Sequence, residues 1–229
     1  MKTIGLIGGM SWESSIEYYR IINEGVGARL GGLHSAKSVM VSVDFAEIEA
    51  LQHQGRWEAA TQIMIQAAQD VERGGADCVV ICTNTMHKMA DAIQEKIQIP
   101  LLHIADATAE RIQEQGLSRI GLLGTRFTME EDFYKGRLEG RFGLQVLIPQ
   151  APARQVIHRV IYDELVLGKI EARSKTQYLD IITTLVRQGA QGIILGCTEI
   201  GLLVKQSDCR VPLFDTTVIH ATAAVEWAL

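Results

Sequence analysis

The chain has 229 residues, of which 47% are hydrophobic and 21% are charged, and its formal net charge at pH 7 is −5. This length suits two domains of about 100 to 120 residues, and the interspersed charges exclude the basic face that a nucleic-acid-binding protein needs. The sequence contains no apolar run that is long enough to predict a membrane span, and no signal peptide precedes the first strand-like segment. We therefore expect a cytoplasmic protein without membrane or nucleic-acid partners.

Short apolar runs alternate with longer amphipathic stretches along the first half of the chain. Strands are predicted over 4–7, 38–43 and 78–81, and helices over 15–26 and 57–72, where apolar side chains recur at helical spacing. Because strands that are buried on both faces read as continuous apolar runs, the alternation predicts a parallel sheet with helices on both faces.

The second half repeats three landmarks of the first half in the same order. The run Ile4-Gly5-Leu6-Ile7-Gly8 returns at 120–124, the apolar run before Thr83 returns before Cys197, and Ile99-Pro100-Leu101 returns at 211–213, at offsets of 116, 114 and 112 residues. The repetition predicts an α/β protein with two similar doubly wound parallel-sheet lobes related by a pseudo-two-fold axis. We expect the first lobe to comprise 1–98 plus 208–229, and the second to comprise 99–207.

Equivalent strand ends carry Thr83 and Cys197. Since ligands of open α/β sheets bind beside the carboxyl ends of the strands, the repetition predicts one active site in a cleft between the lobes, with these residues on opposite sides. Two lobes packed back to back, with separate sites or none, are the alternative.

Both strand ends are followed by reactive or polar side chains. A thiol at a strand-to-helix turn lies near the positive end of the helix dipole, which can lower the pKa of Cys197 from about 8.5 toward neutrality and make it a base. Asn84, Thr85 and Thr198, with nearby backbone N–H groups, can hold a carboxylate. The alternative for Cys197 is a small buried residue that only fills space.

Neither the cysteines nor the glycines predict a bound cofactor. The cysteines, at 78, 82, 197 and 209, lack the paired spacing of a zinc site, and the glycines at 5–9 fit no common phosphate-binding pattern. We therefore expect no metal and no nucleotide.

Three segments resemble signatures of the pyridoxal-phosphate-independent aspartate/glutamate racemase family: Gly8-Gly9-Met10, 83–87 (Thr-Asn-Thr-Met-His) and 196–200 (Gly-Cys-Thr-Glu-Ile). The resemblance continues through 124–129 and 212–216, so it spans nearly the whole chain. It implies a bacterial amino-acid racemase that uses no cofactor, is usually a homodimer, and moves protons on both faces of the α-carbon of aspartate, glutamate or a close analogue. The resemblance implies catalytic roles for Thr83 and Cys197, and substrate contacts from Met10, Gln52, Asn84, Thr85, Met86, Thr125, Thr128, Thr198 and Glu199.

The chain departs from the family pattern at Thr83, where the first catalytic cysteine usually stands. Cys82 lies one residue earlier, and because successive strand residues point to opposite faces, we expect it to pack away from the cleft unless a bulge re-aims it. A threonine hydroxyl is a poorer acid and base than a thiol, so racemisation should be slow in both directions or the reaction should differ. Some aspartate-specific relatives carry a lysine near the position of Val166, which leaves a strict aspartate preference open.

Several assignments have structural alternatives. Thr125 and Thr128 can cap a helix, Gln52 can be a solvated surface residue, and His87 can be a hydrogen-bonded helix residue.

Two other functions of the whole protein also remain. The missing first thiol favours a single-cysteine member of the same superfamily, such as a malonate-type decarboxylase. A two-lobed amino-acid-binding protein without turnover is the other, and Cys197 argues against it because a carboxylate clamp needs no thiol.

Overall fold

The computed structural model describes residues 1–229 and divides them into two compact units. The first unit comprises Met1–His103 and His220–Leu229, and the second comprises Ile104–Ile219. None of the helices combines the length and the hydropathy that a membrane span requires.

The first unit is built on a four-stranded parallel sheet in the order β2-β1-β3-β4. Its strands are β1 (Ile4–Gly8), β2 (Ser38–Ser42), β3 (Cys78–Ile81) and β4 (Leu101–Leu102). Its helices are α1 (Trp12–Leu30), α2 (Phe45–His53), α3 (Trp57–Arg73) and α4 (Ala90–Gln94), with a 3-10 turn over Thr85–Met89. One apolar cluster lies between the sheet and α2, α3 and α4, and a second lies between the other face, α1 and the C-terminal helix.

The second unit has the same strand order, β6-β5-β7-β8, which confirms the α/β class and the two similar parallel-sheet lobes predicted from the repetition. Its strands are β5 (Arg119–Gly124), β6 (Gln145–Leu147), β7 (Gly192–Gly196) and β8 (Leu213–Asp215). Its helices are α5 (Ile104–Glu114), α6 (Arg126–Glu130), α7 (Asp132–Phe142), α8 (Ala151–Asp163), α9 (Ala172–Arg187) and α10 (Ile200–Leu203), and α11 (Thr216–Ala228) begins here and ends in the first unit. Further 3-10 turns cover Leu165–Leu167 and Gln206–Asp208.

The boundaries between the units differ from those expected from the sequence. Leu101–Leu102 pair with β3, so the first unit keeps its fourth strand and extends to His103 instead of 98. Leu213–Asp215 pair with β7, so the second unit extends to Ile219 instead of 207. The prolines at 100 and 212 precede the last strand of their own unit, and the chain crosses over only after that strand.

A glycine in the central strand of each unit allows a helix to lie close against the sheet. A Cβ on Gly5 would collide with the Val71 side chain of α3 and would lie 2.6 Å from the backbone oxygen of Cys78. A Cβ on Gly121 would lie 2.5 Å from Cδ1 of Ile193 in the neighbouring strand β7 and 3.1 Å from Cδ1 of Leu185 in α9. The glycine that recurs in the repeated sequence is therefore required by packing.

We expect Gly5→Ala to lower the free energy of unfolding by about 1–3 kcal/mol or more, because a backbone oxygen cannot move away from the added methyl group as a flexible side chain can. The matched control is Gly140→Ala in α7, where an added Cβ meets no atom within 4 Å and should stabilise the helix by about 0.5–1 kcal/mol. Denaturant unfolding measures both variants. Equal stabilities would contradict the packing argument.

Candidate active site

The carboxyl edge of the second sheet carries Cys197 at the end of β7. Gly124 of β5 lies opposite Gly196 of β7, so Thr125 and Cys197 are the next residues at the same edge. A Cβ on Gly196 would lie 2.7 Å from the backbone oxygen of Leu123, and a Cβ on Gly124 would lie 2.7 Å from that of Gly196. Two glycines therefore bring the ends of these strands together.

The thiol of Cys197 is held by a buried carboxylate. Its Sγ donates to Oε2 of Glu199 at 3.0 Å, and Oγ1 of Thr198 donates to the same oxygen at 2.8 Å. Glu199 is only 1% exposed, and Cys197 and Thr198 are buried as well. The arrangement fixes the direction of the thiol and places a proton acceptor beside it.

The pKa of Cys197 is raised, and not lowered by a helix dipole as the sequence led us to expect. Burial raises this pKa well above its usual value, and the negative charge and hydrogen bond of Glu199 raise it further. The backbone N–H groups of Glu199 and Thr198 favour the thiolate without outweighing these effects. The following helix, α10, has only four residues, so its dipole offers little compensation. The resting side chain is the thiol.

Thr125 and Thr128 form the N-terminal cap of α6. Oγ1 of Thr125 accepts a hydrogen bond from the N–H of Thr128 at 3.3 Å and lies 3.2 Å from its Oγ1. Both residues are buried. The capping alternative is therefore observed, and contact of these hydroxyls with a substrate stays a prediction.

Cys82 and Thr83, which follow β3 in the first unit, differ in burial. Cys82 is buried in the apolar cluster beneath α1, and burial raises the pKa of its thiol. Cys82 shares this cluster with Cys78 and Val80, whereas Val79 and Ile81 pack in the cluster on the other face of the sheet, and Thr83 is half-buried in the turn that follows. This position of Cys82 agrees with the alternation of strand side chains.

His87 fixes the peptide of Thr83. Its Nδ1 lies 2.7 Å from the backbone oxygen of Thr83, and because a carbonyl can only accept, Nδ1 carries the proton. The ring packs against His103 and His220, with centroids 4.7 and 5.6 Å away. Burial lowers the pKa of His220 to about 4, so this neighbour is neutral at neutral pH. His87 is thus a hydrogen-bonded residue that also orients the Thr83 turn.

Three of the predicted substrate residues lie together in the first unit. Nε2 of Gln52 donates to Sδ of Met86 at 3.0 Å, and Met10 packs in the same apolar cluster as Met86. Gln52 is buried, so it is not the solvated surface residue that the sequence left possible. Asn84 and Thr85, the remaining predicted residues of this unit, are also buried.

The turn after β1 depends on residues that the sequence analysis missed. Gly9 has a φ of 96°, and a Cβ there would collide with the backbone oxygen of Val43. Oγ of Ser15 accepts from the N–H of Gly9 at 2.8 Å and donates to the backbone oxygen of Ser11 at 2.9 Å, and Oγ of Ser14 donates to that oxygen at 3.0 Å. Serines clustered where a helix begins are a capping signal that could have identified this turn.

The end of β7 also has supports that the sequence analysis missed. Oγ1 of Thr216 donates to the backbone oxygen of Leu195 at 2.8 Å, and Oγ1 of Thr217 donates to that of Thr198 at 3.4 Å. Both threonines directly follow β8, and this position after a strand was the available signal. Throughout residues 1–229, no group of three or more His, Cys, Asp or Glu side chains is arranged to hold a metal ion.

Known proteins resemble this chain over both of its units. The model of the Asp/Glu/hydantoin racemase family matches residues 7–224. The chain is 24% identical over 169 residues to the broad specificity amino-acid racemase RacX of Bacillus subtilis (strain 168), covering 71% of this chain and 69% of that protein. It is similar to a solved structure from Yersinia pestis described provisionally as an Asp/Glu racemase, with 56% identity, a TM-score of 0.93, and coverage of 100% of this chain and 99% of that one. An aspartate racemase homologue from Pyrococcus horikoshii OT3 is 35% identical, with a TM-score of 0.86 and coverage of 100% and 99%.

We expect Glu199→Gln to lower the pKa of Cys197, because the substitution removes the negative charge that disfavours the thiolate. The pH at which iodoacetamide alkylates Cys197 at half its maximal rate should therefore move down. The assay uses a Cys209→Ser background, since Cys209 is the one cysteine that is not buried. Asp208→Asn serves as the matched control, because it neutralises a carboxylate elsewhere in the unit. An unchanged alkylation profile in Glu199→Gln would show that Glu199 does not control the thiol.

Proposed function

Because this chain belongs to the Asp/Glu/hydantoin racemase family and is therefore an isomerase, we propose that it inverts the α-carbon of aspartate, glutamate or a close analogue by two-base proton transfer without a cofactor. The observation that best supports this reaction is the hydrogen bond from the Cys197 thiol to the buried Glu199 carboxylate. A protein that only binds an amino acid needs donors for the carboxylate, and it has no use for a thiol with its own proton acceptor.

In the proposed first step, Glu199 takes the proton of the Cys197 thiol, and the thiolate removes the α-proton that faces it. The electron pair of the C–H bond remains on the substrate as a planar carbanion, whose charge spreads into the substrate carboxylate. N–H donors at the strand ends stabilise that charge in place of a pyridine ring. The raised pKa of Cys197 makes the thiolate scarce but strongly basic, which suits a weakly acidic C–H bond.

Inversion then needs a proton on the opposite face of the carbanion, and we assign its delivery to Thr83. The hydroxyl donates its proton directly or through a water molecule and regains one from solvent, while Glu199 releases the proton that it accepted. His87 holds the Thr83 peptide in place through its Nδ1–H bond. Since a hydroxyl is a much weaker acid than a thiol, delivery at this face limits the rate.

The substrate is proposed as a class of small amino acids rather than as aspartate alone. RacX of Bacillus subtilis is described as a broad-specificity enzyme, and the Pyrococcus horikoshii protein as an aspartate racemase homologue. Some aspartate-specific relatives carry a lysine near the position of Val166, and no lysine of this chain matches it, which argues against a strict preference for aspartate. A neutral polar side chain should therefore be accepted alongside an acidic one.

A single-base reaction is the second candidate, and the burial of Cys82 favours it. With Cys82 packed in the apolar cluster and threonine at position 83, the end of β3 presents no thiol. A decarboxylase of activated malonates needs one proton donor, because loss of carbon dioxide generates the carbanion. Under this alternative Cys197 supplies that proton and Thr83 only binds substrate.

We expect Cys197→Ser to reduce kcat/KM for racemisation by roughly 10²–10⁴-fold, the contribution of a positioned acid or base. The loss must be equal in both directions, because two enantiomers have equal free energies. Chirality and α-deuterium are followed together in D2O, starting from each enantiomer of aspartate, glutamate and homoserine. Cys209→Ser, which removes the cysteine that is not buried, is the control and should retain activity. Full activity of Cys197→Ser would refute the proposed mechanism, and α-exchange without inversion in the unmodified enzyme would favour a single base.

Substitutions at Thr83 and at its neighbour Cys82 should show which of the two residues takes part in proton transfer. Thr83→Cys should raise turnover, because a thiol with a pKa of about 8.5 exchanges protons at neutral pH more readily than a hydroxyl does. Thr83→Ala should cost less than Cys197→Ser, since water can deliver the second proton. Cys82→Ala should leave kcat and KM for both enantiomers nearly unchanged, because this side chain packs in the apolar cluster, and its effect should appear in thermal stability. A folded but inactive Cys82→Ala would transfer the assigned role to Cys82.

A further inference from the structure

A groove in the second unit combines cationic side chains with apolar surface. It has a volume of about 390 Å³ and runs between α9 and the segment 208–211, which leads into β8. We refer to it as the α9 groove. None of its lining residues is assigned to the proposed reaction, so a ligand bound there would occupy a second site.

The apolar surface of the α9 groove is aliphatic. Leu179, Ile182 and Val186 lie three and four residues apart on α9, so they form one stripe along the helix. Val211 lines the groove from the segment before β8. No aromatic side chain lines the groove, so it offers no surface on which an aromatic ring could stack. This surface therefore suits an aliphatic ligand.

Two arginines make the α9 groove positively charged. Arg187 is the last residue of α9, and Arg210 belongs to the segment on the other side. Both are exposed, and the structure gives neither guanidinium a hydrogen bond or an ion pair. The one acidic lining residue, Asp208, is already paired with Lys175 at 2.8 Å. The groove thus holds two cations without a carboxylate partner, in a chain whose net charge is −5.

Hydrogen bonds hold the segment opposite α9 in place. Nε2 of Gln206 donates to the backbone oxygens of Cys209 and Val211, at 3.3 and 3.0 Å. The ion pair between Lys175 and Asp208 ties the same segment to the first turn of α9. Both sides of the groove are therefore fixed in the folded unit, and binding a ligand there carries no cost of ordering a loop.

A second groove beside α9 has the opposite charge. It measures about 170 Å³ and lies on the other side of the helix, where Ile181 and Leu185 line it. Its one charged lining residue is Asp180. The cations are therefore confined to one of the two grooves along α9, and only that groove suits an anion.

We propose that the α9 groove binds a small aliphatic carboxylate, with its chain along the stripe of α9 and its carboxylate at Arg187 and Arg210. A guanidinium group matches a carboxylate in both shape and charge. At about 1.5 Å per residue, the stretch of α9 from Leu179 to Arg187 spans about 12 Å, which accommodates a carboxylate on a chain of about eight carbons. The proposal does not depend on the proposed reaction.

The place of the arginines favours a carboxylate over a phosphate. Arg187 stands at the C-terminal end of α9, where the helix dipole is partially negative. Phosphates bind readily at the other end of a helix, where backbone N–H groups point at the ligand. A singly charged carboxylate meets less repulsion from the end of α9 than a doubly charged phosphate does, and the two guanidinium groups supply its donors.

Cys209 provides a direct assay of binding. It lines the α9 groove and is the one cysteine of the chain that is not buried. Octanoate should therefore slow its alkylation by iodoacetamide in a saturable way, which mass spectrometry measures at a fixed pH. Octanol has the chain without the charge, and acetate has the charge without the chain. Each should need a concentration at least ~10-fold higher for half-maximal protection.

The variants compare arginines at the two ends of α9. Arg187→Gln should raise the half-protecting concentration of octanoate by roughly 5–10-fold, because a charge-assisted hydrogen bond is lost, and Arg210→Gln should do the same. Arg173→Gln, which replaces an exposed arginine of the first turn outside the groove, is the matched control and should leave that concentration unchanged. Each variant is compared with its own alkylation rate without octanoate, since a substitution can alter the thiol itself.

Four outcomes would overturn the proposal. They are no protection by octanoate, equal protection by octanol, tighter binding of octyl phosphate than of octanoate, and unchanged binding in both groove variants. The first would show that the groove takes no such ligand, and the others that its chemistry is not that of a carboxylate held by arginines. None of them bears on racemisation, which the D2O assay measures separately.

Discussion

The hydrogen bond between Cys197 and Glu199 is the interaction on which the proposed reaction depends. A buried carboxylate is costly unless it is hydrogen-bonded, and here Sγ of Cys197 and Oγ1 of Thr198 both donate to one of its oxygens. The same contact keeps the thiol protonated at rest and provides the group that can receive its proton. Stability and reactivity therefore impose the same geometry on Glu199, and removing its charge should alter both.

That geometry depends on the parallel sheet beneath it. The Cys197 turn is formed where β7 ends beside β5, and the strand ends come together because Gly124 and Gly196 lie opposite each other without side chains. Thr216, which follows β8, ties the backbone of β7 from the other side. A parallel sheet places all these strand ends at one edge, so residues far apart in sequence support one thiol.

The sequence predicted what depends on local pattern and repetition. The strand over 78–81, the duplicated sheet and the burial of Cys82 follow from apolar runs, internal offsets and side-chain alternation. It did not predict the unit boundaries, because strand pairing across the sheet decides to which unit Leu101 and Leu213 belong. Nor did it predict the raised pKa of Cys197, since a helix dipole can be inferred from sequence, whereas burial and the direction of the Glu199 carboxylate cannot.

The two units share a strand order and differ in the side chains that they carry at equivalent strand ends. The second supplies the thiol and its carboxylate, and the first presents a threonine at the matching strand end. This asymmetry cannot drive racemisation in one direction, because equal free energies of the enantiomers force both directions to share one kcat/KM. Unequal groups can only redistribute that ratio between binding and turnover. In the proposed reaction, a weak acid at position 83 therefore lowers the common rate, and any difference between the enantiomers must appear in kcat and KM separately.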